Sequence, residues 1–432
     1  MTATRATESR VLATPSALTG RSIAPDLARG AMLLLIAVAN APWYLWASET
    51  RDLSAHPVDA SALDRIVQSI SLIAIDGRTY PMFAFLFGYG IWQLYSRQLA
   101  AGVDHRAARR ILRKRHRWML AFGLVHAGLL WMGDIVGAYG LAGLVLVWFF
   151  LDRRDVTLKA WAIVPTSLLA LGAVAAALGG VIVSSLGPAS VAGGFSLDLG
   201  SSIRQPDYLL SIGDRVLTWL IATPAQGLIG VIVPVAMLVA LVAARHRVLE
   251  APREHLPLLR RTAAIGIGLG WSVGAVTAAQ NADLLGVPAE LDWAFAGAQS
   301  VAGLFCGIGY VALFGLIAAR MQRPQSSGRV AFALQAVGKR SLTFYLAQSL
   351  LFAPTMSAWG LGLGAQLSSW SITLVAIIAW LITVAIAVVL EQRGWRGPAE
   401  VLLRRLSYPR QRERAVSSAQ PPQIRGEHPM GA

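Results

Sequence analysis

The run Ser368–Leu390, SSWSITLVAIIAWLITVAIAVVL, holds no charged residue and is long enough to cross the hydrocarbon core of a bilayer, which takes about 20 apolar residues in a helix. Working outward from it, similar runs recur back to Gly30 with short connections between them. Read in turn they make ten spans: Gly30–Ser48, Tyr80–Ser96, His116–Gly133, Ile135–Leu151, Leu158–Ser184, Val216–Ala244, Thr262–Gln280, Trp293–Arg320, Ser341–Gly360 and Ser368–Leu390. Ser61–Ile75 is a shorter apolar stretch and reads as an interfacial or re-entrant helix.

The composition agrees. Of 432 residues, 55% are hydrophobic and only 14% charged, against about 25% charged in a soluble domain. Mean hydropathy is +0.55. The expected fold class is therefore all-α, a polytopic helical bundle in the cell (cytoplasmic) membrane. Lys+Arg number 38 against 23 Asp+Glu, a formal net charge of +15. The excess lies in short segments between apolar runs, not in a basic, aromatic-studded soluble domain, so nucleic acid is excluded as a partner.

Those basic segments set an orientation. Arg97–Arg117 carries Arg97, Arg106, Arg109, Arg110, Arg113, Lys114, Arg115 and Arg117 against Asp104, which places it in the cytoplasm. Alternation then puts both termini inside and leaves Glu49–Thr79, Leu186–Arg215, Asn281–Asp292 and Leu361–Leu367 outside. Ala39-Asn40-Ala41 has the form of a signal-cleavage site, but Pro42 follows and the apolar stretch continues through Trp46, so the first run reads as a retained span. Residues 1–20 and 409–432 read as disordered cytoplasmic ends. Between them, 21–155 and 156–408 read as N-terminal and C-terminal membrane halves.

The single cysteine, Cys306, excludes a disulfide framework and a thiolate metal site. No metal and no tightly bound cofactor are expected. There is no P-loop, H-E-x-x-H, G-x-S-x-G or EF-hand loop. Leu86-Phe87-Gly88-Tyr89-Gly90 lies inside a span and reads as close helix packing.

Ionisable and polar groups inside spans are costly and usually face a cavity or a partner. His126 lies deep in an apolar run, about 14 Å beyond Arg117 at ~1.5 Å per residue, with Gly123, Ala127 and Gly128 around it. An imidazole there can take a proton from a hydroxyl or act as nucleophile; equally, it can be a neutral hydrogen-bonded core histidine. Asp134 follows at the junction of two spans. On a straight helix the two side chains stand ~12 Å apart, close enough to share a cavity but not to hydrogen-bond. Asp134 also suits a helix cap. In the ninth span Ser341, Tyr345, Gln348 and Ser349 form a polar stripe, either cavity wall or helix–helix contact. Asp26, Arg29 and Asn40 share a face of the first span, with Asp26 and Arg29 spaced as a pair. The Arg cluster that includes Arg110 and Arg113 follows from topology alone and would also attract an anion.

Several blocks resemble a known family. Pro25-Asp26-Leu27-Ala28-Arg29-Gly30, with the apolar run to Asn40, resembles the opening of the YeiB-type family of bacterial membrane proteins. Phe85-Leu86-Phe87-Gly88-Tyr89-Gly90-Ile91 is similar to its second block. Gly123-Leu124-Val125-His126, then Trp131-Met132-Gly133-Asp134-Ile135 and Ala138-Tyr139, is similar to its third. Gly338–Ser349 and Gly397-Pro398-Ala399-Glu400 with Leu403-Arg404 resemble domain of unknown function 418. The blocks run from about Arg21 to Tyr408 in the family's order.

The resemblance implies a distant likeness to transmembrane acyltransferases, including the lysosomal glucosaminide acetyltransferases and the acyltransferase-3 group. Those move an acyl group from a cytoplasmic donor, typically acyl-CoA, to a hydroxyl or amine on the far side. In acyltransferase-3 proteins a histidine stands about where this chain has Asn40; within the block that resembles domain of unknown function 418, Phe344 stands where an Asn is more usual. The leading expectation is an acyltransferase with acyl-CoA as cosubstrate. His126 and Asp134 would be catalytic, and Asn40, Tyr139, Tyr345, Gln348 and Ser349 would line the substrate. Arg29, Arg110 and Arg113 would hold the donor. The alternative is a transporter or exporter of a small polar metabolite, and a structural protein without a site is the third reading. The partners expected are the bilayer and a small-molecule or glycan acceptor, with a homodimer left open.

Overall fold

The first element, α1 (Ile23–Asn40), runs through the middle of the bundle, its buried face made of Leu27, Met32, Leu33 and Ile36. The structure, a computed structural model, describes residues 23–51, 54–186, 198, 200–321 and 328–408. The ends expected to be disordered, 1–20 and 409–432, lie outside the described residues. After α1 come α2 (Ala62–Ala74), α3 (Thr79–Ala100), α4 (His105–Leu129), α5 (Val136–Val145) and α6 (Asp155–Leu186). Then follow α7 (Ser201–Arg204), α8 (Tyr208–Pro224), α9 (Ile232–Arg245), α10 (Leu256–Asn281) and α11 (Trp293–Met321). The chain closes with α12 (Arg329–Gly338), α13 (Ser341–Met356), α14 (Ser369–Gln392) and α15 (Pro398–Ser407). No strand forms among the described residues, so the all-α bundle stands.

Helix length and composition do not support the expected count of ten spans. Helices occupy all ten stretches, but six are long and apolar enough to cross a membrane, or seven if the bent pair Tyr208–Ile229 and Ile232–Arg245 is one span. The third, fourth and ninth expected spans fall short for physical reasons. Helix α4 carries Arg106, Arg109, Arg110, Arg113, Lys114, Arg115 and Arg117 in its first half. Val136–Phe150 is only a short apolar helix, finishing in a π-helical turn. Helix α13 has 16 residues, roughly 24 Å at 1.5 Å per residue, less than the ~30 Å of hydrocarbon. Apolar content was legible residue by residue; where each helix starts and stops was set by packing.

The stretch Ser61–Ile75 becomes α2, started by a capping box between Ser61 and Asp64. Gln68 Nε2 donates to Ser369 Oγ at 2.9 Å, and the Trp370 N–H donates to Asp64 Oδ1 at 2.9 Å, fastening α2 to the start of α14. Through Asp76-Gly77-Arg78 it runs on into α3 as one apolar segment, Ala62–Ala100. At the other end of α3, Asp104 caps α4, and the N–H groups of Ala107 and Arg106 hold its carboxyl below the usual range.

Glycines set the closest helix approaches. A Cβ on Gly88 would strike the backbone of Met237, so the Leu86–Gly90 block is the close helix packing it was read to be, and its partner is α9. Along α1 and α12 the approach is reciprocal: Gly30 lies on the carbonyl of Leu334, and Gly338 on the carbonyl of Asp26. Helix α6, packed on α11 and α9, turns Leu168, Leu171, Leu178 and Val181 outward, as a lipid-facing helix does.

Candidate functional site

Two cavities, their largely apolar walls set with polar side chains, open at the two ends of α1. At the Asn40 end a cavity of about 730 Å³ is walled by the connection after α1, the start of α3, the α4–α5 junction, the bent pair and the facing ends of α10 and α11. At the Arg29 end a second, of about 310 Å³, lies between the far half of α3, α4, the start of α13 and the α14–α15 connection. Tyr345 lines both. Beside it, Ile135 faces the larger cavity and Val136 the smaller one. The partition between the cavities is thus a few side chains thick.

The larger cavity holds a pair that sequence reasoning missed. His56 Nε2 lies 2.7 Å from Asp76 Oδ2, and Ser71 Oγ donates to Asp76 Oδ1 at 3.0 Å. Both His56 and Asp76 line the cavity. The other imidazole nitrogen, His56 Nδ1, is buried without a partner among the described residues. Asp76 is aimed by the end of α2: its N–H and that of Ile75 both donate to the Ser71 carbonyl, and Gly77 turns the chain at φ +75°, a conformation that favours glycine. No sequence signal marked this pair, because His56 sits in a connection with no periodicity, 20 residues from its partner. Arg51 ties the same connection to Asp292 at 3.2 Å and to the carbonyls of Gln280 and Val287. Asn40, Gln299, Trp43 and Trp131 complete a wall of amides and indoles.

His126 and Asp134 lie behind that wall. The expectation that they stand too far apart to hydrogen-bond is corrected: His126 Nδ1 and Asp134 Oδ1 are 2.8 Å apart. The straight-helix assumption failed because α4 ends at Leu129 and the chain folds back through Trp131-Met132-Gly133. Gly123 makes room for the carboxylate, since a Cβ there would strike it. Asp134 Oδ2 accepts from the Gly137 N–H in the first turn of α5 at 2.7 Å and from Trp219 Nε1 at 3.2 Å. The cap reading therefore holds, and the direct His126–Asp134 hydrogen bond comes in place of the expected shared cavity. His126 Nε2 is buried without a partner among the described residues, and the ring packs against Tyr345 with centroids 5.3 Å apart. Neither His126 nor Asp134 forms part of the wall of either large cavity.

Asp134→Ala would leave an imidazole, an indole and a backbone N–H without their acceptor. At about 1–3 kcal/mol for each buried unsatisfied group, at least about 3 kcal/mol of stability should go. Thermal unfolding in detergent would show it, and an unchanged midpoint would mean the carboxylate is not the hub of these contacts.

The ninth-span stripe divides. Tyr345, Gln348 and Ser349 are buried, and Gln348 Nε2 donates to the Leu33 carbonyl at 3.1 Å, a helix–helix bond. Gln348 and Ser349 line only a small void with Asn40. Ser341 faces the smaller cavity. Tyr139, whose hydroxyl donates to the Tyr80 carbonyl at 2.7 Å, also lines the smaller cavity.

The smaller cavity is cationic. Arg29, Arg97, Arg115, Lys339, Arg340 and Arg396 face it. Its carboxylates are already engaged. Glu391 is held by Lys339 at 2.5 Å and Arg340 at 2.7 Å. Glu400 accepts from the Leu342 and Thr343 N–H groups and caps α13. Arg29 pairs with Asp26 at 3.2 Å, as its spacing suggested, and donates to the Leu86 carbonyl at 2.9 Å. Of the expected donor-binding residues the structure brings only Arg29 here. Leu112, Arg115 and Met119 form the α4 face of the cavity. At 100° per residue Arg110 and Arg113 fall on other faces, away from both cavities.

An all-α bundle with six or seven apolar helices long enough to cross a membrane, and a cavity at each end of α1, defines a polytopic membrane protein; residues 243–410 of the chain match the family described as "Protein of unknown function (DUF418)". Tyr345, Lys339, Arg340 and Glu391 lie within those residues; His56, Asp76, His126 and Asp134 lie outside them. Over a longer stretch the chain is similar to "Uncharacterized protein YeiB" of Escherichia coli (strain K12), 25% identical over 341 residues, 76% of this chain and 80% of that protein. It is also 32% identical over 105 residues to "Uncharacterized protein YxaH" of Bacillus subtilis (strain 168), 24% of this chain and 25% of that one. Together these matches support the YeiB-type assignment read from the motifs.

Proposed function

We propose that the protein is a membrane acyltransferase, taking an acyl group from acyl-CoA at the Arg29 end and delivering it to a hydroxyl or amine at the Asn40 end. The carrying observation is the pair of cavities meeting at Tyr345, one cationic, the other walled by a histidine–aspartate pair. Guanidinium groups hold phosphates by charge-assisted, bidentate hydrogen bonds, and Arg97 and Arg396 make no ion pair among the described residues. In this reading the cationic end is cytoplasmic, as the basic connections imply. His56 takes the acceptor's proton, with Asp76 orienting the ring. His126–Asp134, read from the sequence as the catalytic pair, becomes the support on which Tyr345 rests.

The test is calorimetric binding of acetyl-CoA and longer acyl-CoAs to the detergent-purified protein, beside Arg97→Ala/Arg396→Ala. Micromolar, salt-sensitive binding is expected, weakened about 10²-fold in the double variant, if each phosphate contact contributes at least ~1.4 kcal/mol. Folded protein that binds no acyl-CoA would overturn the reading and promote export of a small polar metabolite. One observation favours that second reading. The bent pair breaks by 45° at Gly230 and Val231, and Gln226 and Gly230 face the larger cavity. Broken helices beside a mid-membrane cavity are a feature of carriers, and liposome flux would then be the assay.

A further inference from the structure

We propose that Tyr345 is a catalytic residue, its hydroxyl donating to the carbonyl oxygen of the acyl group as that group passes from one cavity to the other. The inference deepens the acyl-transfer reading and rests on it. The hydroxyl oxygen accepts the Ile135 N–H at 3.3 Å. Its own hydrogen has no acceptor among the described residues. Tyr345 is 3% exposed, so this donor is not spent on bulk solvent; what it faces is the two cavities. A buried donor without an acceptor is disfavoured, and one standing where two ligand cavities touch is placed to meet a group that spans them.

The residue is also held still. Glu400 fixes the first turn of α13 through the Leu342 and Thr343 N–H groups at 2.9 and 3.2 Å. The ring leans on His126, and His126 is pinned by Asp134. An oxyanion donor has to be positioned before the charge develops, because reorganisation during the reaction removes the advantage.

The step balances as follows. The acceptor's hydroxyl oxygen attacks the thioester carbonyl carbon, a C–O bond forms, and the acceptor's proton passes to His56 Nδ1. The carbonyl electrons move onto oxygen, where the Tyr345 hydroxyl donates to the resulting oxyanion without giving up its proton. Collapse re-forms C=O, breaks C–S, and the coenzyme A sulfur leaves with the proton returned from the imidazolium.

The experiment compares wild type, Tyr345→Phe and Tyr345→Ala in inverted membrane vesicles supplied with acetyl-CoA and palmitoyl-CoA, measuring free-thiol release above that of vesicles lacking the protein. Acyl-CoA affinity is measured on the purified variants. Tyr345→Phe keeps the partition and removes only the donor. It should bind acyl-CoA within about twofold of wild type and release thiol about 10²–10³-fold more slowly, the usual effect of deleting one oxyanion donor. Tyr345→Ala should be at least as slow. Wild-type turnover by Tyr345→Phe would overturn the role of Tyr345 and leave acyl transfer standing. Loss of acyl-CoA binding by Tyr345→Phe would also overturn it, by showing that the hydroxyl acts in the ground state. Wild-type protein that neither binds acyl-CoA nor releases thiol would overturn the acyl-transfer reading and this inference with it.

Discussion

His56→Ala is expected to slow acyl transfer by about 10²–10⁴-fold, the range for removal of a general base, with acyl-CoA affinity unchanged. The separation of the two effects follows from the architecture. His56 belongs to the cavity at the Asn40 end, whereas the cations that would hold the donor face the cavity at the Arg29 end. A base removed from the acceptor side therefore alters turnover and not donor binding. Asp76→Asn should lower turnover too, since an amide still orients the ring but no longer offsets the imidazolium charge. The measurement is free-thiol release together with calorimetry on the same preparations. If His56→Ala, correctly inserted, turns over within threefold of wild type, the base is elsewhere. His126 with its buried Nε2 is then the residue to replace, since it too is paired to a carboxylate.

Gly338→Val is expected to prevent the folded protein from accumulating. Gly338 of α12 rests on the carbonyl of Asp26 in α1, and one helical turn along the same seam Gly30 of α1 rests on the carbonyl of Leu334 in α12. A side chain at Gly338 meets backbone, which cannot swing aside as a flexible side chain can, so the helices must separate. Overpacking in a tight core commonly destabilises by about 1–3 kcal/mol and sometimes more. Valine adds the full bulk of a branched chain where even Cβ does not fit. Separation also pulls Arg29, with its partner Asp26, away from the position in which Arg29 lines the smaller cavity. Size-exclusion chromatography of a fluorescent fusion would decide it: a monodisperse peak at wild-type yield would show that the seam is not the constraint. Gly30→Val should behave alike, and the double variant should be less than additive, because each alone already opens the same contact.

What was legible in the sequence was mostly local. The Asp26–Arg29 pair, the polar stripe of α13 and the glycine approach at Gly88 depend on spacing along one helix or on residue size, and spacing and size are written in the chain. What was not legible depends on where chain segments meet. His56 and Asp76 come together only because α2 ends in a left-handed turn at Gly77 and the connection after α1 folds over it. His126 reaches Asp134 because α4 stops earlier than a straight span would. Arg115 rather than Arg110 or Arg113 faces the smaller cavity because of the rotation of α4, and eight cations crowded into one connection give no hint of that rotation. The count of ten spans goes unsupported for a related reason: it treats every apolar run as independently able to cross, and helix length and composition support six or seven.

The thin partition at Tyr345, Ile135 and Val136 has an electrical consequence. Were water to fill both cavities from opposite faces, a transmembrane voltage would no longer drop over the ~30 Å of hydrocarbon but would concentrate in the remaining barrier. Moving one elementary charge through the full potential is worth about 2.3 kcal/mol per 100 mV. Here most of that work would be done over the width of a few side chains. A neutral acyl group would cross without sensing it. A proton shuttled past Tyr345 would sense nearly all of it, so the energised state of the membrane would act directly on this layer and scarcely at all on the wide vestibules on either side.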